Sequence, residues 1–348
     1  MPDRGGARAP LIELTLARIR EFLREPEAVF WVFVFPILMA CALGVAFRSR
    51  GDQAIVVGIV NAPGHEAIET ALRRAGGFDP RLVESGEVQA ALQRADVPLV
   101  VEPGPTPRYR FDPTRADSRV ARHAVDDALQ RAQGRTDVFA ATDIHIETVG
   151  SRYIDWLVPG LLGMNIMSTG LWGLGFSIVM ARTRKLLKRL VASPMRRRDY
   201  LLAQILGRLV FLLLEVAALL GFSKLVFGVP IRGSLALLIV SCITGALAFG
   251  GIGLLVASRA KTVEAVSGLL NLVMLPMWLL SGVFFASSNF PDAMQPFIGI
   301  LPLTALNEAL RSIMLEGGGP AAVAPQLTLL AIWGLLSFAV ALRIFRWR

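Results

Sequence analysis

The chain has 348 residues, 54% of them apolar and 18% charged, with a mean hydropathy of +0.55. A water-soluble domain of this size does not carry so much apolar surface, so composition places the chain among integral membrane proteins. The formal net charge of +9 raises nucleic acid as a partner, but the position of the charges along the chain matters more than their sum, and no nucleic-acid partner is expected.

Residues 1–27 open the chain on the polar side. Between residues 11 and 24, Ile12, Leu16, Ile19 and Leu23 recur at spacings of 4, 3 and 4, with Glu13, Arg20 and Arg24 on the other face. That pattern predicts an amphipathic helix lying in the membrane interface among lipid headgroups, ended by Pro26. An α-helix rises about 1.5 Å per residue, so crossing roughly 30 Å of hydrocarbon takes about 20 mostly uncharged residues. Residues 28–47 are the first such stretch, with Phe30 and Trp31 at its start and Pro36 inside it. The proline predicts a kink that neighbouring helices must accommodate.

Residues 48–152 have ordinary soluble composition. "AIVVGIV" and "VPLVVE" read as buried strands, "YRF" and "IHIETV" as shorter ones, and residues 66–74, 87–94 and 118–133 as helices. Such alternation predicts a small α/β domain inserted between the first two spans. Both cysteines, Cys41 and Cys242, fall inside predicted spans, so this domain holds together by packing alone. His65, His123 and His145 are scattered through it without metal-ligand spacing.

Five further spans are expected at residues 153–180, 201–227, 234–257, 263–286 and 326–345. Residues 287–325 hold Pro296, Pro302, Glu308 and Arg311, which argue against a seventh crossing; short re-entrant helices packed on protein are expected instead. The fold class is therefore an α-helical polytopic membrane protein: six transmembrane helices, an inserted external α/β domain, and re-entrant helices after the fifth span. Basic clusters precede the first span and follow the second, fourth and sixth. The positive-inside rule then puts both termini in the cytoplasm and residues 48–152 outside, in a cell (inner) membrane.

Residues 181–200 carry eight basic side chains and one acid between two apolar runs. Leu186, Leu187, Leu190 and Val191 fall along one side of a helix, Arg184, Lys185, Lys188 and Arg189 along the other, and Ser193 with Pro194 stops it. The charges by themselves suit an orientation signal among anionic headgroups; a short helix with a defined end is also a shape that a soluble partner can grip.

"RKLLKRLVASPMRRRDYLLAQIL" resembles the cytoplasmic coupling segment of ABC-2 permeases, the membrane subunits of ATP-binding-cassette exporters. "FWVFVFPILMACALGVAF", "SGVFFASSNFPDAMQPF" and "LPLTALNEALRSIML" resemble three further blocks of that family, in the expected order, and a domain between the first two spans occurs in one, type V-like, subgroup. Relatives often carry acids just before the coupling helix, whereas this chain has none from residue 181 to 198. The resemblance implies a homodimer or heterodimer of such subunits, each engaging a cytoplasmic ATPase subunit. Arg184, Lys185, Leu186, Leu187, Lys188, Arg189, Leu190, Ser193 and Pro194, with the surface helix of Ile12, Leu16, Ile19 and Leu23, would make the contact. No phosphate-cradling GxxxxGK[ST] run is present, so this chain is expected to be no enzyme, to bind no cofactor itself, and to depend on ATP and magnesium held by the partner.

Path and gate candidates follow from polar or aromatic residues in apolar surroundings. Glu215 lies mid-span, where an ionised group faces protein or water; it either lines the export path or makes a structural hydrogen bond to a neighbouring helix. Lys224, nine residues on, is about 13 Å away along the axis and out of direct reach. Asn165 and Asn271 carry the same ambiguity. Phe284 and Phe285 lie at the end of the fifth span, and Glu308 and Arg311, three apart, are expected on one face and able to pair at an outer gate. The glycines of "GGIG" at 250–253 are expected to serve close helix packing. The expected function is export of an amphiphile, such as a drug, lipid or lipid-linked molecule. The rival readings are a membrane receptor sensing through its external domain, and a proton-coupled transporter using Glu215.

Overall fold

The computed structural model describes residues 20, 24–47, 54–136, 139, 150, 152–183, 197–260 and 262–344. The chain divides into two compact units, one of residues 50–146 and one of residues 1–49 with 147–348.

The larger unit begins with a helical turn, Pro26–Val29, a π-turn, Phe30–Val34, and helix α1, Phe35–Ala46. Pro36 has no N–H to offer the carbonyl four residues back, that of Val32. Asn165 Nδ2 donates to that oxygen at 3.0 Å. The irregularity expected from Pro36 thus takes the form of a π-turn whose freed carbonyl is satisfied by another helix.

Residues 50–146 form an α/β unit: β1 (Ile55–Val60), α2 (His65–Ala75), β2 (Phe78–Val83), α3 (Val88–Gln93), β3 (Leu99–Glu102), β4 (Arg108–Phe111) and α4 (Ala116–Ala132). The sheet order is β2-β1-β3-β4, with β1 parallel to both neighbours and β4 antiparallel to β3. Strand periodicity sends Val57, Ile59, Leu99 and Val101 to one face, against Ile68 and Leu72 of α2 and Val125 and Leu129 of α4. It sends Val60 and Val100 to the other, against Val88 and Ala91 of α3. Both faces are covered, which is why β1 and β3 read as unbroken apolar runs. The strands expected in "AIVVGIV", "VPLVVE" and "YRF" and the three expected helices are present here, with one addition. β2, "FDPRLV", escapes a propensity reading because of Pro80, and the structure places it at the sheet edge, where a strand tolerates a missing donor. The expected strand at 144–149 lies outside the described residues.

The remaining helices are α5 (Tyr153–Gly170), a π-turn (Leu171–Phe176), α6 (Ser177–Thr183), α7 (Arg197–Phe227), α8 (Leu235–Ala257), α9 (Val263–Leu280), α10 (Gln295–Gly299), α11 (Pro302–Arg311), a second π-turn (Ser312–Glu316) and α12 (Pro320–Ile344). Among the described residues, five stretches are long and apolar enough to cross a membrane: Tyr153–Met180, Gly207–Phe227, Leu235–Ala257, Val263–Leu280 and Pro320–Ile344. The first apolar helix, Phe30–Ala46, is shorter. Asp292–Gly299 and Pro302–Glu316 form a pair bent by 86°, which makes a sixth crossing if counted as one span. Two boundaries differ most from expectation. The fifth span ends at Leu280 and not at 286, because Gly282 at φ +69° turns the chain as few other residues would. The last helix begins at Pro320 and not at 326, with proline in its first turn, where no N–H is missed.

α5 is buried on every side and forms the centre of the unit. α8 is wedged between the π-turn of the second span and α12 by its glycines. A Cβ at Gly253 would sit 2.7 Å from the Leu171 carbonyl, one at Gly250 2.7 Å from Leu174, and one at Gly251 3.0 Å from the Gly334 carbonyl. The close packing expected of "GGIG" is thus visible on two faces of one helix.

Candidate functional site

Two buried polar clusters lie along α5. The first forms where the bent pair meets the start of that helix. Asn307, fully buried, donates from Nδ2 to the Ser281 carbonyl at 2.9 Å. One turn on, the guanidinium of Arg311 donates to the Gly282 carbonyl and to that of Trp156 at 3.4 Å, and lies 3.4 Å above the Trp156 ring centroid. Arg311 is only 7% exposed. A buried cation needs compensation, which here comes from carbonyl dipoles and a π-face, with no carboxylate among its hydrogen-bond partners in the described residues.

Room for α11 is made by two glycines of α5. A Cβ at Gly160 would stand 2.6 Å from the Val283 carbonyl oxygen and 3.2 Å from Arg311 Nη2; one at Gly163 would run into Asn307 Oδ1. Beside them the Tyr153 hydroxyl donates to the Phe284 carbonyl at 3.2 Å, and Tyr153 stacks on Phe47 at 4.6 Å. The second π-turn is anchored from outside its helix: Arg232 N donates to Met314 O at 3.0 Å and Gly233 N to Ile313 O at 2.9 Å.

The pairing expected between Glu308 and Arg311 is not formed. Glu308 is exposed while Arg311 is buried. Three helical residues subtend about 300°, so the edge of the buried face passes between the two side chains. Phe284 is half-buried and Phe285 is 60% exposed, and Asn271 is exposed on α9.

The second cluster lies about two turns further along α5. Glu215 of α7 is 1% exposed. Its Oε1 accepts from Arg208 Nη1 at 3.3 Å and its Oε2 lies 3.3 Å from the Thr169 hydroxyl of α5. That hydroxyl has one proton and sits closer, 2.7 Å, to the Asn165 carbonyl. Asn165 in turn reaches the Val32 carbonyl, so the cluster ties the first, second and third spans together. The Glu215 contact to a neighbouring helix was among the expectations; Arg208 was not. The signal was present, since residues seven apart return to the same helix face about 10.5 Å along the axis, within the combined reach of arginine and glutamate. The π-turn after Gly170 is held from another side by Trp172 Nε1, 3.1 Å from Met274 Sδ.

The coupling residues Arg184, Lys185, Leu186, Leu187, Lys188, Arg189, Leu190, Ser193 and Pro194 lie outside the described residues, as do Ile12, Leu16, Ile19 and Leu23. Their flanks are described: α6 ends at Thr183, where Arg182 Nη1 donates to the Ala260 carbonyl at 3.2 Å, and α7 starts at Arg197.

A family described as ABC-2 type transporter matches residues 125–315, more than half of the chain. Among curated proteins, ABC transporter G family member 20 of Dictyostelium discoideum is 34% identical over 171 residues, 49% of this chain and 23% of that protein. Inner membrane transport permease YhhJ of Escherichia coli is 30% identical over 174 residues, 49% of this chain and 46% of YhhJ. Nodulation protein J of Bradyrhizobium diazoefficiens is 28% identical over 209 residues, 57% of this chain and 76% of that protein. The chain thus spans less than half the length of the first two relatives.

Proposed function

The chain belongs to the ABC-2 type transporter family, and from that premise we propose that it is the permease subunit of an ATP-driven exporter. It binds no nucleotide itself; ATP and magnesium are held by separate cytoplasmic ATPase subunits that grip residues 184–194 and the surface helix of residues 11–24. Both termini are cytoplasmic, residues 48–152 lie outside, and a second permease subunit completes the pathway. The cargo class is an amphiphile, which suits apolar spans with few interior charges.

One observation carries the reading beyond family membership. α11 is a short helix bent by 86° from its predecessor and clamped to α5 and to the end of α9 by Arg311 and Asn307. A helix that turns back at the membrane boundary, held by single side chains against the central span, is suited to serve as an outer gate. ATPase closure would displace the loop after the second span, and α5 would carry that displacement to the gate.

The test joins the two ends. Replacing Leu186, Leu187 and Leu190 with Asp, in the complex with its ATPase, should abolish substrate-stimulated ATP hydrolysis while membrane insertion persists. Unchanged stimulation would remove the coupling assignment. Export that continues after collapse of the proton gradient but stops without ATP would support the permease reading against the proton-coupled one.

A further inference from the structure

Nine of the ten residues of α11 are buried, and the exception is Glu308, which is exposed. Among the described residues its carboxylate makes no hydrogen bond and no ion pair, because Arg311 turns inward to the carbonyls of Trp156 and Gly282. One turn earlier, on the same side of the helix, the hydroxyl of Thr304 is 3% exposed as a residue and also lacks a partner among the described residues. α11 therefore reaches the outside of its unit at one point, and that point carries a carboxylate.

The point does not lie at the rim. α8 and α12 both start at the end of the unit where Arg232 and Gly233 hold Met314 and Ile313. Glu308 comes five residues before Ile313, about 7.5 Å further in along the axis. The bend of the pair lies deeper still: the Ile300 carbonyl accepts from Trp333 Nε1 at 2.9 Å, about 20 Å into α12. Glu308 thus stands between the rim and the tip of a hairpin that passes the middle of a roughly 30 Å core. At such depth an ionisable side chain faces protein or a water-filled space, because hydrocarbon solvates charge poorly.

We propose that Glu308 recognises the positively charged head of an organic amphiphile as it passes the bent pair. The proposal rests on the permease reading and names the charge of its cargo. Arg311 does not repel such a cargo from the opening, since its guanidinium is buried and committed to two carbonyls and a ring. It ties an aromatic to the same place instead. A Cβ at Gly282 would lie 3.4 Å from Arg311 Nη1 and 3.5 Å from the Phe285 carbonyl, and Phe285 is 60% exposed. Glu308 and Phe285 are thus joined, through one helix and one turn, to a single guanidinium. An open carboxylate with an open aromatic suits a bulky organic cation, the first for its charge and the second for its apolar substituents. A metal ion is the poorer fit: it asks for several ligands, and among the described residues no group of three or more His, Cys, Asp or Glu could hold one.

The test uses two probes of one shape and opposite charge, tetraphenylphosphonium and tetraphenylborate. The full chain with its ATPase is placed in nanodiscs of neutral lipid, with empty discs as the blank. Equilibrium dialysis should show the phosphonium bound at least about tenfold more tightly than the borate. Glu308→Gln should abolish that preference by weakening the phosphonium alone, Glu308→Asp should keep it, and Glu308→Lys should reverse it. No preference in the native chain, or an undiminished one in Glu308→Gln, would overturn the proposal. Independently, in a Cys41→Ala, Cys242→Ala background, Glu308→Cys should react with a water-soluble methanethiosulfonate at least about tenfold faster than Leu335→Cys, because the reacting thiolate forms in water. Leu335 is 73% exposed on apolar α12, so equal rates would place Glu308 against lipid and refute the proposal as well. The two readings fail separately. A complex that hydrolyses ATP but shows no charge preference loses the cation site alone, and a chain that prefers the phosphonium but recruits no ATPase loses the permease reading alone.

Discussion

The Arg311 guanidinium lies face-on to the Trp156 indole, 3.4 Å from its centroid, although the two residues are 155 positions apart in the chain. This contact, with the Gly282 and Trp156 carbonyls, replaces the counter-ion that a buried arginine ordinarily requires. Arg311→Ala should therefore lower thermal stability by about 2–4 kcal/mol and disable gating, since it leaves the carbonyls unpaired and a void over the ring. Arg311→Lys should recover little, because an ammonium cannot stack and bridge at once. Thermal unfolding of the purified protein and vesicle efflux measure the two effects. Export at the native rate in Arg311→Ala would end the gate assignment.

The glycines that receive α11 predict an asymmetry. Gly163→Ala collides with a side-chain oxygen of Asn307, Gly160→Ala with a backbone carbonyl. Each should destabilise by about 1–3 kcal/mol. Adding Asn307→Ala should relieve the first and leave the second unrelieved, as a double-mutant comparison of melting temperatures would reveal. Equal relief at both positions would mean that the clash is not local.

The Arg208 and Glu215 pair should behave as one unit. Removing either partner alone, as Arg208→Gln or Glu215→Gln, leaves the other charge buried and should cost about 3–5 kcal/mol; removing both should cost clearly less than the sum. A double-mutant cycle on unfolding free energy reads the coupling directly. Strict additivity would show that the 3.3 Å contact carries no energy.

In the α/β unit, burial, together with the hydrogen bond to Asp126 and its charge, pushes the Tyr109 phenol up from 10.0 to about 12. A pKa raised on folding gives stability that is fully present below pH 10 and is lost as the pH rises towards 12. Tyr109→Phe should abolish that alkaline loss. Absorbance titration at a phenolate wavelength, comparing the native chain with Tyr109→Phe, should show the missing step near 12; a missing step near 10 would show the ring to be solvated.

Much of this architecture is legible from local pattern. Uninterrupted apolar runs mark the spans because hydrocarbon excludes charge at nearly every position, and β1 and β3 are legible because both of their faces are buried. β2 was hidden by Pro80, whose tolerance depends on an edge position that sequence does not disclose. The Arg208 contact is legible in principle, since seven residues bring Arg208 and Glu215 back to one helix face. Spacing makes Glu308 and Arg311 neighbours but leaves their environment open, since helical periodicity does not say where the edge of burial runs.

Sequence alone determined that the chain is a family member with several apolar helices and an inserted α/β unit, because those features repeat over many residues and each repeat is a local free-energy preference. Only the tertiary structure decided which carbonyls Arg311 caps and which glycines admit α11. Those relations join residues far apart in the chain, and their energies come from desolvation and fit, which exist only once the helices have packed.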